Sequence, residues 1–119
     1  MNYTLYQSQL KENKMDIKTE IENIIKKNEV CLFMKGVPEA PQCGFSMTVS
    51  KILKHFNVNY KAINVLENEE IRNGIKVYSD WPTIPQLYIQ GEFIGGCDII
   101  KELFEKGELK ELLENKKLI

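Results

Sequence analysis

Arginine is almost missing from this chain of 119 residues: Arg72 stands alone among sixteen basic residues, set against seventeen acidic ones. The net charge of −1 gives no long-range attraction toward nucleic acid or an anionic membrane. Cysteine is scarce and scattered. Cys31, Cys43 and Cys97 are odd in number and too far apart for a disulfide framework or for paired zinc ligands. Such usage fits a reducing compartment and at least one thiol kept for reactivity. No apolar run approaches the ~20 residues that a membrane span needs. Internal repeats and signs of a second domain are also missing.

Residues 1–15 have no apolar core of the kind a secretory signal carries. With no Arg and one Ser they also lack the composition of a mitochondrial transit peptide. They are expected to be a flexible leader, the remnant of a trimmed precursor or an expression scar, ahead of one domain over residues 16–119. Hydrophobic content of 43% and charged content of 28% are ordinary for a globular chain with one core.

Apolar spacing predicts the elements. Ile17, Ile21, Ile24 and Ile25 share one face of a helix, and Val30 to Met34 is a short continuous run suited to a strand covered on both faces. A loop carrying Pro38 and Pro41 leads to Cys43. A second helix follows through Met47, Val49, Ile52, Leu53 and Phe56, then a strand over Tyr60 to Val65 and a helix over Asn68 to Tyr78. Gln86 to Gln90 and Glu92 to Ile94 flank Gly91 as a hairpin, and helical spacing resumes from Asp98, with a second piece after Gly107. The order αβαβαββαα predicts an α/β fold in which a four-stranded mixed sheet has helices on both faces.

Four places invite chemistry. Cys43-Gly44-Phe45-Ser46 keeps the attacking sulfur of a C-x-x-C redox motif but has a hydroxyl where the resolving thiol would stand. Cys43 falls where a helix begins, so unpaired N–H groups and the helix dipole favour its thiolate. Ser46 is expected to use its hydroxyl locally in the first turn. Trp81-Pro82-Thr83-Ile84-Pro85 precedes a strand. Pro85 is a candidate for a cis bond that would turn the Ile84 backbone outward to pair with an extended peptide, though an ordinary loop fits the same spacing. Gly95-Gly96-Cys97-Asp98 offers helix-start N–H groups, with Asp98 either a capping residue or a partner for an ammonium group. Lys35 and Arg72 are cation candidates. Arg72 suits a carboxylate through its planar fork, and a solvated helix face competes with that reading. Cys31 reads as a small core residue and His55 as a helix-surface one.

Together, Lys35-Gly36, Pro41-Gln42-Cys43-Gly44-Phe45-Ser46, Trp81-Pro82-Thr83-Ile84-Pro85-Gln86-Leu87 and Gly95-Gly96-Cys97-Asp98 resemble the monothiol glutaredoxins, from about Asp16 to Leu113. The resemblance implies a thioredoxin-like fold with Pro85 cis, and a glutathione groove. There Lys35 and Arg72 would hold the glycine carboxylate and the Ile84 backbone would pair with the cysteinyl unit. The Cys97 backbone and Asp98 would take the γ-glutamyl end, with Phe45, Thr83, Pro85 and Gly96 completing the set.

It also implies a [2Fe–2S] cluster shared between two subunits, ligated by Cys43 and one glutathione thiolate from each. The protein would then be a homodimer when loaded and a monomer when empty, carrying clusters to iron–sulfur client apoproteins. Other implied roles are a weak monothiol oxidoreductase that removes glutathione from proteins, and a redox- or iron-sensing partner of BolA-type proteins. The proline-bearing loop Gly36 to Gln42 is associated, in family terms, with weak oxidoreductase activity. Cys97 has a further implied role, a disulfide with Cys43 under oxidation. The leader matches nothing in the family, and no thioredoxin-like domain precedes this one as in the multidomain branch. The expected location is the cytoplasm or mitochondrial matrix, or another organelle if residues 1–15 are the remains of a precursor.

Overall fold

Val30–Met34 (β1) consists of five consecutive buried side chains and forms the interior of the sheet. The computed structural model describes residues 16–119, so the expected leader lies outside the described residues. Helix α1 covers residues 16–27, and the Asn28 side chain closes it by donating to the Ile24 carbonyl at 2.8 Å. After β1 come two short strands, Gly36–Val37 (β2) and Ala40–Pro41 (β3), then α2 (Gly44–His55), β4 (Lys61–Asn64) and α3 (Glu69–Ser79). The chain ends with β5 (Gln86–Ile89), β6 (Glu92–Gly95), α4 (Cys97–Glu105) and α5 (Glu108–Asn115).

The main sheet has the order β4-β1-β5-β6. β1 runs parallel to β4, with Leu32 opposite Ala62, and antiparallel to β5, with Leu32 opposite Leu87. The parallel pair needs a long crossover, which α2 provides. The antiparallel β5–β6 pair closes through Gln90 and Gly91, both at positive φ as a tight hairpin turn of the primed type requires.

Alternation along β1 divides the interior in two. Val30, Leu32 and Met34 face Val49, Ile52 and Leu53 of α2 together with Ile100, Leu109 and Leu113 of α4 and α5. Cys31 and Phe33 face Ile21 and Ile25 of α1 and Ile71 and Ile75 of α3. Each fully buried Leu or Ile contributes about 1.5–3 kcal/mol through removal of apolar surface from water. The mixed sheet with helices on both faces is therefore as the sequence predicts, and the helices earn their places by the apolar stripes that identify them.

The sequence-based order is incomplete at one place. The loop after β1 folds into the two-residue ladder β2–β3, with Gly36 opposite Pro41. Its ends are tied by Gln42 N–H donating to the Lys35 carbonyl at 2.9 Å. The Asn64 side-chain oxygen at the end of β4 accepts from Gly36 N–H at 2.9 Å and from Leu66 N–H at 3.0 Å. The Gly36–Asn64 bond joins segments twenty-eight residues apart, so local pattern does not reveal it.

Asn64→Ala removes an acceptor for two backbone donors. It is expected to cost about 1–3 kcal/mol in urea unfolding and to speed amide exchange at Gly36. Unchanged exchange at Gly36 would contradict the role given to Asn64.

Candidate functional site

Cys43 occupies the N-cap position of α2 in extended conformation (φ −154°, ψ 135°), at the end of the β2–β3 loop. The first turn of α2 carries no acidic residue to compete for the helix's positive end, while Lys54 and His55 complement its negative end. The backbone N–H of Ser46 holds the Cys43 thiol below its ordinary pKa. Partial burial opposes this, and the Phe45 N–H, the Lys35 charge and the Ser46 hydroxyl add to it. Cys43 is therefore a partly exposed sulfur that favours its thiolate.

Ser46 differs from the local role expected of it. It is fully buried, and its Oγ accepts from the Lys35 N–H at 3.0 Å, eleven residues away. The hydroxyl thus ties the end of β1 to the first turn of α2 and fixes the sulfur relative to the sheet.

Cys43 opens on a groove of about 570 Å³. One wall is the loop Trp81 to Pro85, in which the Ile84–Pro85 bond is cis, as the family resemblance implies and as the spacing alone left open. The facing wall is Gly96, Cys97, Asp98 and Ile99 at the start of α4, and Lys35, Phe45 and Lys76 complete the lining. Gly96 lets the two walls pack closely: a Cβ there would come within 3.2 Å of Trp81 Nε1 and 3.3 Å of the Pro85 carbonyl oxygen, so a larger residue would push them a few tenths of an ångström apart.

Lys35, Cys43, Phe45, Thr83, Ile84, Pro85, Gly96, Cys97 and Asp98 line one groove. Arg72, expected with them, is not among the lining residues; Lys76, one turn further along α3, is. The i, i+4 spacing of Arg72 and Lys76 was the available signal, since it puts both on one helix face. Asp98 is not the cap of α4: Gly96 holds that position, and Asp98 lies in the first turn. Trp81 and Ile99 also line the groove, and their residue types alone did not single them out.

The other thiols are chemically distinct from Cys43. Burial raises the Cys97 thiol above its ordinary value and the neighbouring Asp98 raises it further, with Lys101 opposing and Cys43 adding to the rise. Cys31 is buried in mid-strand, and desolvation pushes it up to about 12. His55 is exposed and packs edge-on against Phe56 and Phe104, with ring centroids 5.1 and 5.3 Å away.

A lowered pKa means that Cys43 remains thiolate to lower pH than an ordinary cysteine, so its alkylation by iodoacetamide should lose rate only at correspondingly lower pH. Near neutral pH, peptide mapping should show Cys43 modified first, Cys97 slowly and Cys31 only on unfolding. Lys35→Met removes a stabilising positive charge and is expected to move the Cys43 profile toward higher pH. A Cys97 that reacts as fast as Cys43 would contradict the electrostatic account.

The sequence profile of glutaredoxin matches residues 30–94. The chain is 56% identical over 95 residues to "Probable monothiol glutaredoxin 2" of Rickettsia typhi, covering 80% of this chain and 86% of that protein. It is 54% identical over 98 residues to "Monothiol glutaredoxin-S14, chloroplastic" of Arabidopsis thaliana, covering 82% of this chain and spanning 57% of the plant protein's length. Reduced apo GrxS14 of poplar, solved in solution, has 52% identity and a TM-score of 0.73, over 83% of this chain and 91% of that one. With a lone thiol in Cys43-Gly44-Phe45-Ser46 and this groove beside it, the chain belongs to the glutaredoxin family, in its monothiol branch.

Proposed function

We propose that the protein binds glutathione in the groove beside Cys43 and, as a dimer, carries a [2Fe–2S] cluster as cargo for iron–sulfur protein maturation. The observation that carries the reading is the pairing of one partly exposed thiol of lowered pKa with a groove lined by both cations and a carboxylate. Lys35 and Lys76 supply positive charge at the lining, and Asp98 with the opening N–H groups of α4 supplies mixed polarity on the facing wall. A short peptide with a carboxylate at one end, an ammonium and carboxylate at the other and a thiol between suits that arrangement. Lys76 joins Lys35 as a proposed contact for the glycine carboxylate. Arg72 is left to act one turn behind it.

The donor set fits a shared cluster. Among the described residues no group of three His, Cys, Asp or Glu is placed to hold a metal ion. Cys43 of each subunit would be the protein's own ligand, and two glutathione thiolates would complete the four sulfurs. Phe45 is 62% exposed and Ile99 36% exposed beside Cys43, an apolar rim that a second subunit would cover. No helix among the described residues is long and apolar enough to cross a membrane. Glutathione at useful concentration places the activity in a reducing compartment.

A second reading uses the same thiolate as a nucleophile. Cys43 would attack the disulfide of a glutathionylated protein, releasing the protein thiolate and keeping glutathione in a mixed disulfide. A second glutathione thiolate would then displace Cys43 and leave as glutathione disulfide. The lowered Cys43 pKa favours this reading as well.

Anaerobic incubation with iron, sulfide and glutathione is expected to give a coloured dimer by absorption and sizing, and Cys43→Ser should give none. A protein that stays colourless and monomeric, or a coloured dimer from Cys43→Ser, overturns the carrier reading. Lys76→Glu reverses one charge in the groove and is expected to raise the glutathione concentration needed for assembly by about tenfold. An unchanged requirement would remove Lys76 from the site.

A further inference from the structure

The side chain of Gln86 is fully buried at the start of β5, where a polar group survives only if its hydrogen bonds are met. They are met in a particular way. Its Nε2 donates to the carbonyl of Trp81 at 3.1 Å and to the carbonyl of Thr83 at 3.2 Å, using both amide protons on the loop that walls the groove. Its Oε1 accepts from the Tyr88 hydroxyl at 3.2 Å. The Trp81 N–H is tied in turn to Ser79 Oγ at 3.2 Å.

The consequence follows from the peptide bond. Thr83 C=O and Ile84 N–H belong to one planar unit. The cis bond in this region is the following one, Ile84–Pro85, so the Thr83–Ile84 unit is trans and its C=O and N–H point in opposite directions. A Thr83 carbonyl drawn inward onto Gln86 therefore forces the Ile84 N–H outward, on the side of the loop that lines the groove. Ile84 N–H has no partner among the turn, loop and cap hydrogen bonds of the described residues. It is left free to donate.

We propose that Gln86, held by Tyr88, is a positioning residue that aims the Ile84 N–H at a peptide ligand in the groove and so selects glutathione over disulfides lacking a peptide backbone. The inference rests on the glutathione reading above. Gln86 touches no ligand and acts through the Thr83–Ile84 peptide plane. Removing its amide releases two carbonyls that then seek water, and the plane is no longer fixed. Tyr88→Phe removes only the oxygen that orients Gln86 and leaves the ring in place.

The test uses two probes on the apo-protein, glutathione disulfide and hydroxyethyl disulfide. Each forms a mixed disulfide at Cys43 and releases its other half as a thiolate. Mass spectrometry reads the equilibrium with each, and their ratio isolates what the groove contributes beyond the sulfur. Wild type should prefer glutathione; equal yields would overturn the glutathione reading itself. Given that preference, Gln86→Met is expected to reduce the ratio by about five- to tenfold, the worth of one hydrogen bond. Tyr88→Phe should reduce it by about two- to threefold, because it leaves the Gln86 donors present and less well oriented. Should Gln86→Met fail to fold, Tyr88→Phe decides. An unchanged ratio, or equal losses with both probes, overturns the positioning role.

Discussion

β1 is buried on both faces and paired along both edges, and three supports of the site are attached to it. Its last residue leads directly to Lys35, and the Lys35 N–H is held by Ser46 in the first turn of α2. Its parallel neighbour β4 ends in Asn64, which supports the loop that carries the chain to Cys43. Its antiparallel neighbour β5 begins at Gln86, which fixes the Trp81 to Pro85 wall. A shift of β1 by one residue would exchange its two apolar sets between the layers. It would also move all three supports relative to the sulfur. The packing constraint on five hydrophobic residues is thus also the constraint on the active geometry.

Within that frame the chemistry is divided among groups that do not compete. Helix-start N–H groups stabilise negative charge on Cys43, while burial and Asp98 keep Cys97 protonated in the same groove. Of the two thiols that line the groove, Cys43 is therefore the more readily deprotonated. Under the proposed function, glutathione supplies the second sulfur that a C-x-x-C motif would provide. Ser46 is more than a missing cysteine, because its hydroxyl is committed to holding α2 against β1.

Much of this was legible in the sequence, for definable reasons. Val30 to Met34 is apolar throughout, so its burial follows from composition. Gly91 marks its hairpin because few other residues accept a positive φ, whereas Pro85 is only a candidate for the cis bond until the family resemblance selects it. The illegible parts are those set by contacts distant in sequence. The β2–β3 ladder depends on Asn64, twenty-eight residues from Gly36. The partner of Ser46 lies on another element, and Asp98 yields the cap position to Gly96 because the helix begins two residues earlier. Arg72 attracted attention by its rarity, yet the turn of α3 brings Lys76 to the groove instead. Gln86 lies within the Trp81 to Leu87 motif, but its role emerges only where two carbonyls and a hydroxyl converge on it.

We propose a lone thiol working with a groove that presents a backbone donor to glutathione. A crystal structure of the Cys43–glutathione mixed disulfide tests it most directly. The account predicts the tripeptide lying along the groove, with Ile84 N–H donating to the cysteinyl carbonyl at ~2.9 Å and the glycine carboxylate beside Lys35 and Lys76. A tripeptide projecting into solvent, with Ile84 N–H unengaged and the Thr83 carbonyl turned away from Gln86, would contradict it.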